Sequence, residues 1–149
     1  VLSNWKYGSP FWDPFCGSGT LGIEAALLAR NIAPGLSRNF AFQSWKIYDS
    51  KIFENVVADA KKKQYTQKKY QILCSDMDEK VLEIAKINAE KASVADTISF
   101  TQHDITSPLL PYDLEPLTIV CNPPYGKRLT SDDFTNIYTH LISHIQQSV

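Results

Sequence analysis

The chain of 149 residues is long enough for one domain with its own core, and 44% apolar with 21% charged residues is ordinary for a globular protein. No apolar run is long enough to span a bilayer and no signal-peptide pattern opens the chain, so the sequence predicts no membrane contact. The formal net charge of −1 gives no overall attraction to nucleic acid. An RNA substrate would therefore need a local basic patch or a helper domain.

Cysteine and histidine usage argues against disulfides and metal binding. The three cysteines, Cys16, Cys74 and Cys121, are odd in number and have apolar neighbours, which predicts reduced thiols in a cytoplasmic protein. His140 and His144 are four residues apart, but no acidic residue stands next to His140 as in metalloprotease helices. We therefore expect no metal site.

The first predicted unit is a strand, a glycine-rich loop and a helix. Pro10 to Asp13 reads as a short strand, and Leu21 to Ala29 as a helix. Between them, Gly17, Gly19 and Gly22 fit the dinucleotide fingerprint G-x-G-x-x-G, in which glycines let the backbone turn tightly and approach a ligand.

Two acidic residues decide which ligand this loop suits. A nicotinamide dinucleotide site needs an acidic residue about 20 positions after the loop, whereas the next strand's acidic end, Asp76, lies much further on. The carboxylate of Asp13, directly before the loop, favours a cationic ligand over a pyrophosphate. S-adenosylmethionine carries a sulfonium and an ammonium and no phosphate, so the sequence favours it over NAD.

The first helix and the segment that follows it, up to Lys69, contain residues whose roles are interpreted less directly. Glu24 lies in an otherwise apolar helix, which predicts a buried, partnered carboxylate with a structural role. The aromatic residues of the loop from Asn31 to Asp49 are interpreted as packing for an insertion over the sheet, with base stacking as the alternative. Ile52 to Ala60 has helical spacing. The lysines between Lys61 and Lys69 are interpreted as a solvated helix end, with phosphate contact as the alternative.

The second strand, Gln71 to Ser75, ends at Asp76 and Met77. Asp78 is placed to cap a helix from Glu79 to about Ala92. The Asp76 carboxylate at the strand's carboxyl end is then placed to accept both hydroxyls of a ribose.

Two further strands and a helix complete the pattern. Thr97 to Thr101 predicts the third strand, and Asp104 behind it either accepts from an adenine amino group or is a turn residue. Leu117 to Asn122 predicts the fourth strand, and a helix is expected from about Asp133 to Gln147.

The fourth strand ends in Asn122-Pro123-Pro124-Tyr125. Proline cannot continue a strand ladder, so the strand stops at Asn122 and the turn is stiff. The Asn122 side chain and the Pro123 carbonyl form a fixed pair of acceptors beside an aromatic ring. Such a pair suits a flat heterocycle with an exocyclic amino group.

These motifs resemble those of a known family. The segments 13–20, 75–78 and 122–126 are similar to the first, second and fourth motifs of class I S-adenosylmethionine-dependent methyltransferases that act on amino groups. The segments 23–26, 31–35 and 40–45 resemble those of bacterial 23S rRNA guanine-N2 methyltransferases that carry an N-terminal THUMP RNA-binding domain. The resemblance covers nearly the whole chain.

The resemblance implies an α/β fold, a Rossmann-like doubly wound parallel sheet, and transfer of a methyl group to guanine N2 in rRNA. The alternatives are methylation of adenine N6 in nucleic acid or of a protein glutamine, and a non-catalytic ligand- or RNA-binding module. The residues implied in catalysis are Asn122, Pro123, Pro124 and Tyr125. Those implied in binding S-adenosylmethionine are Asp13, Pro14, Cys16, Gly17, Ser18, Gly19, Thr20, Asp76, Met77 and Asp104.

The resemblance also implies that residues 1–149 are part of a larger enzyme. No THUMP domain is present, and the pattern stops after the fourth strand and its helix, so RNA binding is expected to need a domain outside this chain. Because the family's later strands are missing, we expect residues 118–121 to form an exposed apolar edge. We expect the isolated chain to be weakly stable or self-associating, and inactive.

Overall fold

The computed structural model describes residues 4–66, 69–108, 118–124 and 131–147. Strands and helices are interspersed along the chain, as the sequence predicts for an α/β domain. The strands are β1 (Phe11–Asp13), β2 (Ile72–Asp76), β3 (Ile98–Gln102) and β4 (Thr118–Ile119); the helices are α1 (Thr20–Ala29), α2 (Ser50–Lys62), α3 (Glu79–Lys91) and α4 (Ser131–Gln147).

The described strands form one parallel sheet in the order β3-β2-β1-β4. The chain first steps outward from β1 to β2 and β3, and then returns to place β4 on the other side of β1. Phe11 of β1 is paired with Ile72 of β2 and with Thr118 of β4. This reversal of strand order is the switch point of a doubly wound sheet.

The core of the sheet is built around Trp12. Its indole is 1% exposed and packs in a cluster with Leu73, Ile105 and Leu141. The indole Nε1 donates to Ser75 Oγ at 2.9 Å, so the buried polar atom is satisfied. All of these groups lie directly behind the carboxyl ends of the strands and make that end of the sheet rigid.

The chain divides into two compact units, with the division inside α1. The sheet unit comprises residues 1–26 and 69–149, and the helical unit comprises residues 27–68. In the sheet unit, Asp78 caps α3 as predicted, because its carboxylate accepts from the N–H of Lys80 at 2.9 Å. The α3 residues Leu82, Ala85 and Ala89, spaced by one helical turn, are buried.

The helical unit contains α2 and a short 3-10 helix, Ala41–Ser44. Phe40 and Phe42 stack at 5.4 Å and both contact Phe53 of α2, so these two loop aromatics pack within the unit. Trp45, for which the sequence also predicts packing, is 61% exposed. The packing prediction is therefore wrong for Trp45, whose side chain is left largely exposed.

Candidate active site

The carboxyl ends of all four described strands open into one cavity of about 370 Å³. This volume is within the usual range for small-molecule sites, and the cavity lies at the edge where open parallel sheets bind ligands. Its wall is formed by residues that end or follow the strands and by one residue of α4: Pro14, Phe15, Asp76, Met77, His103, Asp104, Ile105, Asn122, Pro124 and Ile137.

The glycine loop joins β1 to α1 in a conformation that requires glycine. Gly17 and Gly19 have φ angles of +53° and +86°, a region that other residues rarely adopt. A Cβ atom at Gly19 would lie 3.1 Å from the Cβ of Ala85, and one at Gly22 would overlap the Cys74 sulfur. The third glycine therefore lets α1 pack closely against β2, as in dinucleotide-binding folds.

Asp76 connects the glycine loop to the end of β2. Its Oδ2 accepts the backbone N–H of Gly17 at 3.0 Å, and its Oδ1 accepts that of Asp78 at 3.1 Å. Each carboxylate oxygen can accept a further hydrogen bond. The two backbone donors thus hold the carboxylate in one orientation in the cavity wall and leave it able to accept ribose hydroxyls.

Asp13 is a buried carboxyl group behind this wall. It is 1% exposed, and its Oδ1 accepts the N–H of Phe15 at 3.3 Å. Burial raises the pKa of Asp13 to about 7; the hydrogen bond from Phe15 lowers it and the nearby negative charge of Asp76 raises it. No described basic side chain forms an ion pair with Asp13. A cationic ligand nearby would supply the missing positive charge.

Asn122 and Pro124 follow β4 and both line the cavity. Asn122 is exposed and its side chain is accessible to a substrate, whereas Pro123 is half-buried. The segment is anchored by β4, because Val120 donates its N–H to the Trp12 carbonyl of β1 at 3.1 Å. Tyr125 lies outside the described residues.

Asp104 has the turn role that the sequence leaves open, and it also lines the cavity. Its Oδ1 accepts from the backbone N–H of Thr106 at 2.9 Å and from the Thr106 hydroxyl at 2.8 Å. These hydrogen bonds lower the pKa of Asp104. No hydrogen bond from the described residues reaches Oδ2, so one oxygen is left for a ligand donor.

His103 is a cavity residue to which the sequence analysis assigns no role. It is buried, and its Nε2 has no hydrogen-bond partner among the described residues. Burial lowers the pKa of His103, and the nearby His144 lowers it further while Asp104 raises it. The centroid of the imidazole ring lies 6.0 Å from that of the Trp12 indole. Because its pKa is lowered, His103 is a neutral part of the cavity wall. Its position directly after the third strand is the signal in the sequence that could have identified it.

Two of the three cysteines, Cys74 and Cys121, have thiols that are poor nucleophiles. Cys16, Cys74 and Cys121 are free, and the first two are buried. The neighbouring Cys16 and burial raise the pKa of Cys74, and burial together with Asp13 raises the pKa of Cys121 to about 11. Both thiols are protonated at neutral pH, which excludes thiolate chemistry at these positions.

The structure brings together six of the residues predicted for the site. Pro14, Asp76, Met77, Asp104, Asn122 and Pro124 line the cavity. Seven others are adjacent to these in the chain but do not line it: Asp13, Cys16, Gly17, Ser18, Gly19, Thr20 and Pro123. Phe15, Ile105 and Ile137 line it without having been predicted. Glu24 is exposed on α1, so the prediction of a buried carboxylate there is wrong.

Comparison with known families agrees with this geometry. The model of the UPF0020 family, described as RMKL-like, methyltransferase domain, matches residues 1–149. This chain belongs to that family. The prediction of a methyltransferase domain is therefore confirmed.

Two curated relatives are similar to this domain. One is the “Putative RNA methyltransferase YpsC” of Bacillus subtilis (strain 168), 41% identical over 128 residues, which are 86% of this chain and 33% of that protein. The other is the “Ribosomal RNA large subunit methyltransferase K/L” of Psychromonas ingrahamii, 38% identical over 98% of this chain and 20% of that protein. The chain thus spans about a third and a fifth of their lengths.

Solved structures share the fold. The crystal structure of SMU.472 complexed with SAH, the demethylated cofactor, matches with a TM-score of 0.86 at 33% identity, over 99% of this chain and 39% of that one. A “predicted N6-adenine-specific DNA methylase” from Listeria monocytogenes matches with a TM-score of 0.89 at 33% identity, over 97% and 38%. The prediction of a class I methyltransferase sheet and of its cofactor agrees with these matches.

None of the helices in the described ranges combines the length and the apolar character that a membrane span requires. Nor do the described histidine, cysteine and acidic side chains form a group of three that could hold a metal ion.

Proposed function

We propose that this domain transfers the methyl group of S-adenosylmethionine to the exocyclic N2 amine of a guanine in large-subunit rRNA, in the cytoplasm. The observation that carries the proposal is the placement of Asn122 and Asp76 in one cavity wall. Asp76 ends β2 and Asn122 follows β4, and these two strands are the neighbours of β1. The cavity wall therefore carries an amide for the acceptor and a carboxylate for the donor.

The donor side fits S-adenosylmethionine. Asp76 is held by Gly17 and Asp78 with lone pairs left for ribose hydroxyls. Oδ2 of Asp104 is left for the adenine amino group. The buried carboxyl of Asp13 lacks a positive partner, which the ammonium and sulfonium of the cofactor would provide. The cofactor itself supplies an activated methyl group, so the protein needs no nucleophile.

The acceptor side addresses the chemistry of an aromatic amine. The lone pair of guanine N2 is delocalised into the ring, which makes the nitrogen planar and poorly nucleophilic. The Asn122 side-chain oxygen and the Pro123 carbonyl would accept its two N–H groups and favour a tetrahedral nitrogen. Holding donor and acceptor in line can lower the barrier by about 7–11 kcal/mol.

The target base must be held and made accessible. Tyr125 would stack on it, which is worth about 1–3 kcal/mol. A paired guanine would first have to leave its helix. The added proton leaves the methylated nitrogen readily to water, so no strong general base is required. This fits a site in which His103 is neutral and buried and the thiols of Cys74 and Cys121 are protonated.

The RNA substrate is supported by the names of two relatives, one an RNA and the other a large-subunit rRNA methyltransferase. The name of the Listeria protein favours a second candidate, methylation of adenine N6. Both amines are exocyclic groups of flat bases, and the same Asn122 turn suits either. The choice between them depends on the base that the substrate presents.

Nucleoside mass spectrometry of rRNA from cells with and without the gene tests this proposal. We expect loss of one N2-methylguanosine from large-subunit rRNA, restored by the wild-type gene and not by an Asn122→Ala allele. An unchanged N2-methylguanosine content together with a lost N6-methyladenosine would establish the second candidate instead.

A further inference from the structure

The two units of this chain carry opposite charge. The helical unit, residues 27–68, contains eight lysines and arginines and three acidic residues, a formal net charge of +5. The sheet unit carries −6, which together give the −1 of the chain. The nearly neutral total therefore conceals a compact basic unit. A basic unit of this kind attracts phosphate groups even when the whole chain does not.

This basic unit also has an apolar groove that the rest of the unit leaves open. The groove lies between the loop 42–49 and α2, has a volume of about 350 Å³, and is here called the Trp45 groove. Its apolar walls include Trp45, Ile47, Ile52 and Val56, whose exposed fractions are 61%, 87%, 64% and 60%. The Trp45 indole stacks on none of the described aromatic rings. Its face is therefore available to a flat ligand.

The loop that carries Trp45 is held in place by hydrogen bonds. The side-chain oxygen of Gln43 accepts the N–H of Phe40 at 2.6 Å, and Ser44 donates to the Ala41 carbonyl at 2.8 Å. The Asp49 carboxylate caps α2 by accepting from the N–H of Lys51 at 2.9 Å, so the groove's one acidic residue is already engaged. A fixed loop costs less entropy when it binds a ligand.

Two lysines stand beside the apolar wall. Lys46 lies in the chain between Trp45 and Ile47, and Lys51 directly precedes Ile52. Both are exposed, and neither forms an ion pair with any residue that the structure describes. An exposed aromatic face next to unpaired cations is the arrangement with which proteins bind single-stranded nucleic acid.

We infer that the Trp45 groove binds a single-stranded segment of the RNA substrate, with a base stacked on Trp45 and phosphates near Lys46 and Lys51. This inference rests on the proposed RNA substrate and adds a binding surface in the helical unit. The positive charge of the unit favours RNA over an apolar protein segment, which would gain nothing from it. Stacking does not depend on base identity, so the groove contributes affinity and not sequence choice.

The test measures the affinity of the protein that contains this domain for a fluorescent single-stranded RNA by anisotropy. Trp45→Ala should weaken binding by about 5- to 150-fold, and Trp45→Phe should restore most of it. The double variant Lys46→Glu, Lys51→Glu should weaken binding at least tenfold. It should also reduce the slope of log affinity against log salt by about 1.4, the loss of two phosphate contacts.

The matched control is Lys80→Glu, Lys86→Glu on α3, which reverses the same charge in the sheet unit. Its fold should be unaffected, because Lys80 and Lys86 are exposed and the Lys86–Glu83 pair, with side chains 46% and 60% exposed, adds little stability. Its RNA affinity should stay within about twofold of wild type, because neither lysine belongs to the helical unit. Equal losses in both double variants would overturn the inference, since only net charge would then matter. RNA affinities of the groove variants equal to wild type would overturn it too.

Methyl transfer measured on the same proteins separates this inference from the proposed function. If the wild type methylates guanine but the groove variants bind RNA like wild type, the groove assignment fails and the proposed function stands. If the groove variants lose RNA binding but the wild type methylates no guanine, the proposed function fails and the groove assignment stands. A changed oligomeric state of Trp45→Ala with unchanged RNA affinity would show a protein interface instead.

Discussion

The backbone N–H of Gly17 donates to the Oδ2 atom of Asp76 at 3.0 Å, which ties the glycine loop of β1 to the acidic end of β2. One carboxylate thereby positions the loop and forms part of the cavity wall. Asp76 therefore links the conformation of the glycine loop to the donor half of the site.

Asp76→Asn should lower the affinity for S-adenosylmethionine at least tenfold. The amide nitrogen cannot accept a hydrogen bond, so one of the positioned acceptors is lost. Isothermal calorimetry measures the affinity. Glu79→Gln is the matched control, because it removes one exposed negative charge three residues further on and should leave the affinity unchanged. Equal affinities for Asp76→Asn and wild type would remove Asp76 from the cofactor site.

Asn122→Ala should reduce the rate of methyl transfer by at least about 100-fold, because a lost donor or acceptor at the reacting group typically costs this much. The affinity for S-adenosylmethionine should change less than threefold, since Asn122 is placed at the acceptor. Single-turnover kinetics with labelled cofactor separate these quantities. Asn136→Ala, at an exposed position of α4, is the control and should keep the wild-type rate. A wild-type rate in Asn122→Ala would remove the acceptor-turn mechanism.

Asp13 should make the stability of the cofactor-free protein depend on pH. Its pKa is about 7 in the folded protein and has the ordinary value of 3.8 in the unfolded chain, so between these values the folded state holds a proton that the unfolded state has released. The free energy of unfolding therefore falls as pH rises from about 4 to 7. Between pH 5 and pH 8 the titration of Asp13 lowers the free energy of unfolding by about 3 kcal/mol.

Urea unfolding of wild type and Asp13→Asn at pH 5 and pH 8 checks this sign. Between pH 5 and pH 8 the free energy of unfolding of the variant should fall by about 3 kcal/mol less than that of wild type, because the amide does not titrate. Saturating S-adenosylmethionine should lower the pKa of Asp13. The fall in the free energy of unfolding of wild type should therefore occur at lower pH. The same pH dependence in both proteins would show that Asp13 is ionised throughout.

Gly22→Ala should destabilise the fold, although alanine is the better helix former by about 1 kcal/mol. The new methyl group would overlap the sulfur of Cys74, and such overpacking costs about 1–3 kcal/mol. Adding Cys74→Ala makes room, so the double variant should be less destabilised than the sum of the single variants. Gly8→Ala, where a Cβ meets no atom within 4 Å, should be neutral. Thermal unfolding measures all four proteins.

The donor half of the site could be predicted because its signals are local. Asp13 and Asp76 each end a buried strand, and Asp78 follows with a helix that it caps. Because parallel strands bind ligands at their carboxyl ends, both carboxylates are placed at that edge, where Asp76 lines the cavity and Asp13 is buried behind its wall. The glycine spacing likewise fixes the loop locally, including the close contact of Gly22 with Cys74.

The other parts depend on tertiary contacts that no short segment encodes. Glu24 lies in an apolar helix yet points to solvent, because only one side of α1 is covered at that position. Ile137 of α4 reaches the cavity wall, while the apolar residues Phe134 and Ile142 of the same helix are 45% and 53% exposed. Periodicity identifies a helix and does not say which neighbour covers each residue.

The positive charge of residues 27–68 could not be recognised from the sequence alone either. The count along the chain gives −1, and the lysines from Lys61 onward read as a solvated helix end. Lys63 does pair with Asp59 at 2.7 Å, as expected for such an end. The basic character becomes visible only when residues 27–68 are recognised as a compact unit of their own.

The most direct test of the central claim is methyl transfer in vitro with S-adenosylmethionine that carries a deuterated methyl group. The protein that contains this domain is incubated with unmodified large-subunit rRNA, and the nucleosides are identified by mass spectrometry. The account predicts deuterated N2-methylguanosine, present with wild type and Asn136→Ala and lost with Asn122→Ala. Deuterium on any other nucleoside, or equal N2-methylguanosine from Asn122→Ala, would contradict it.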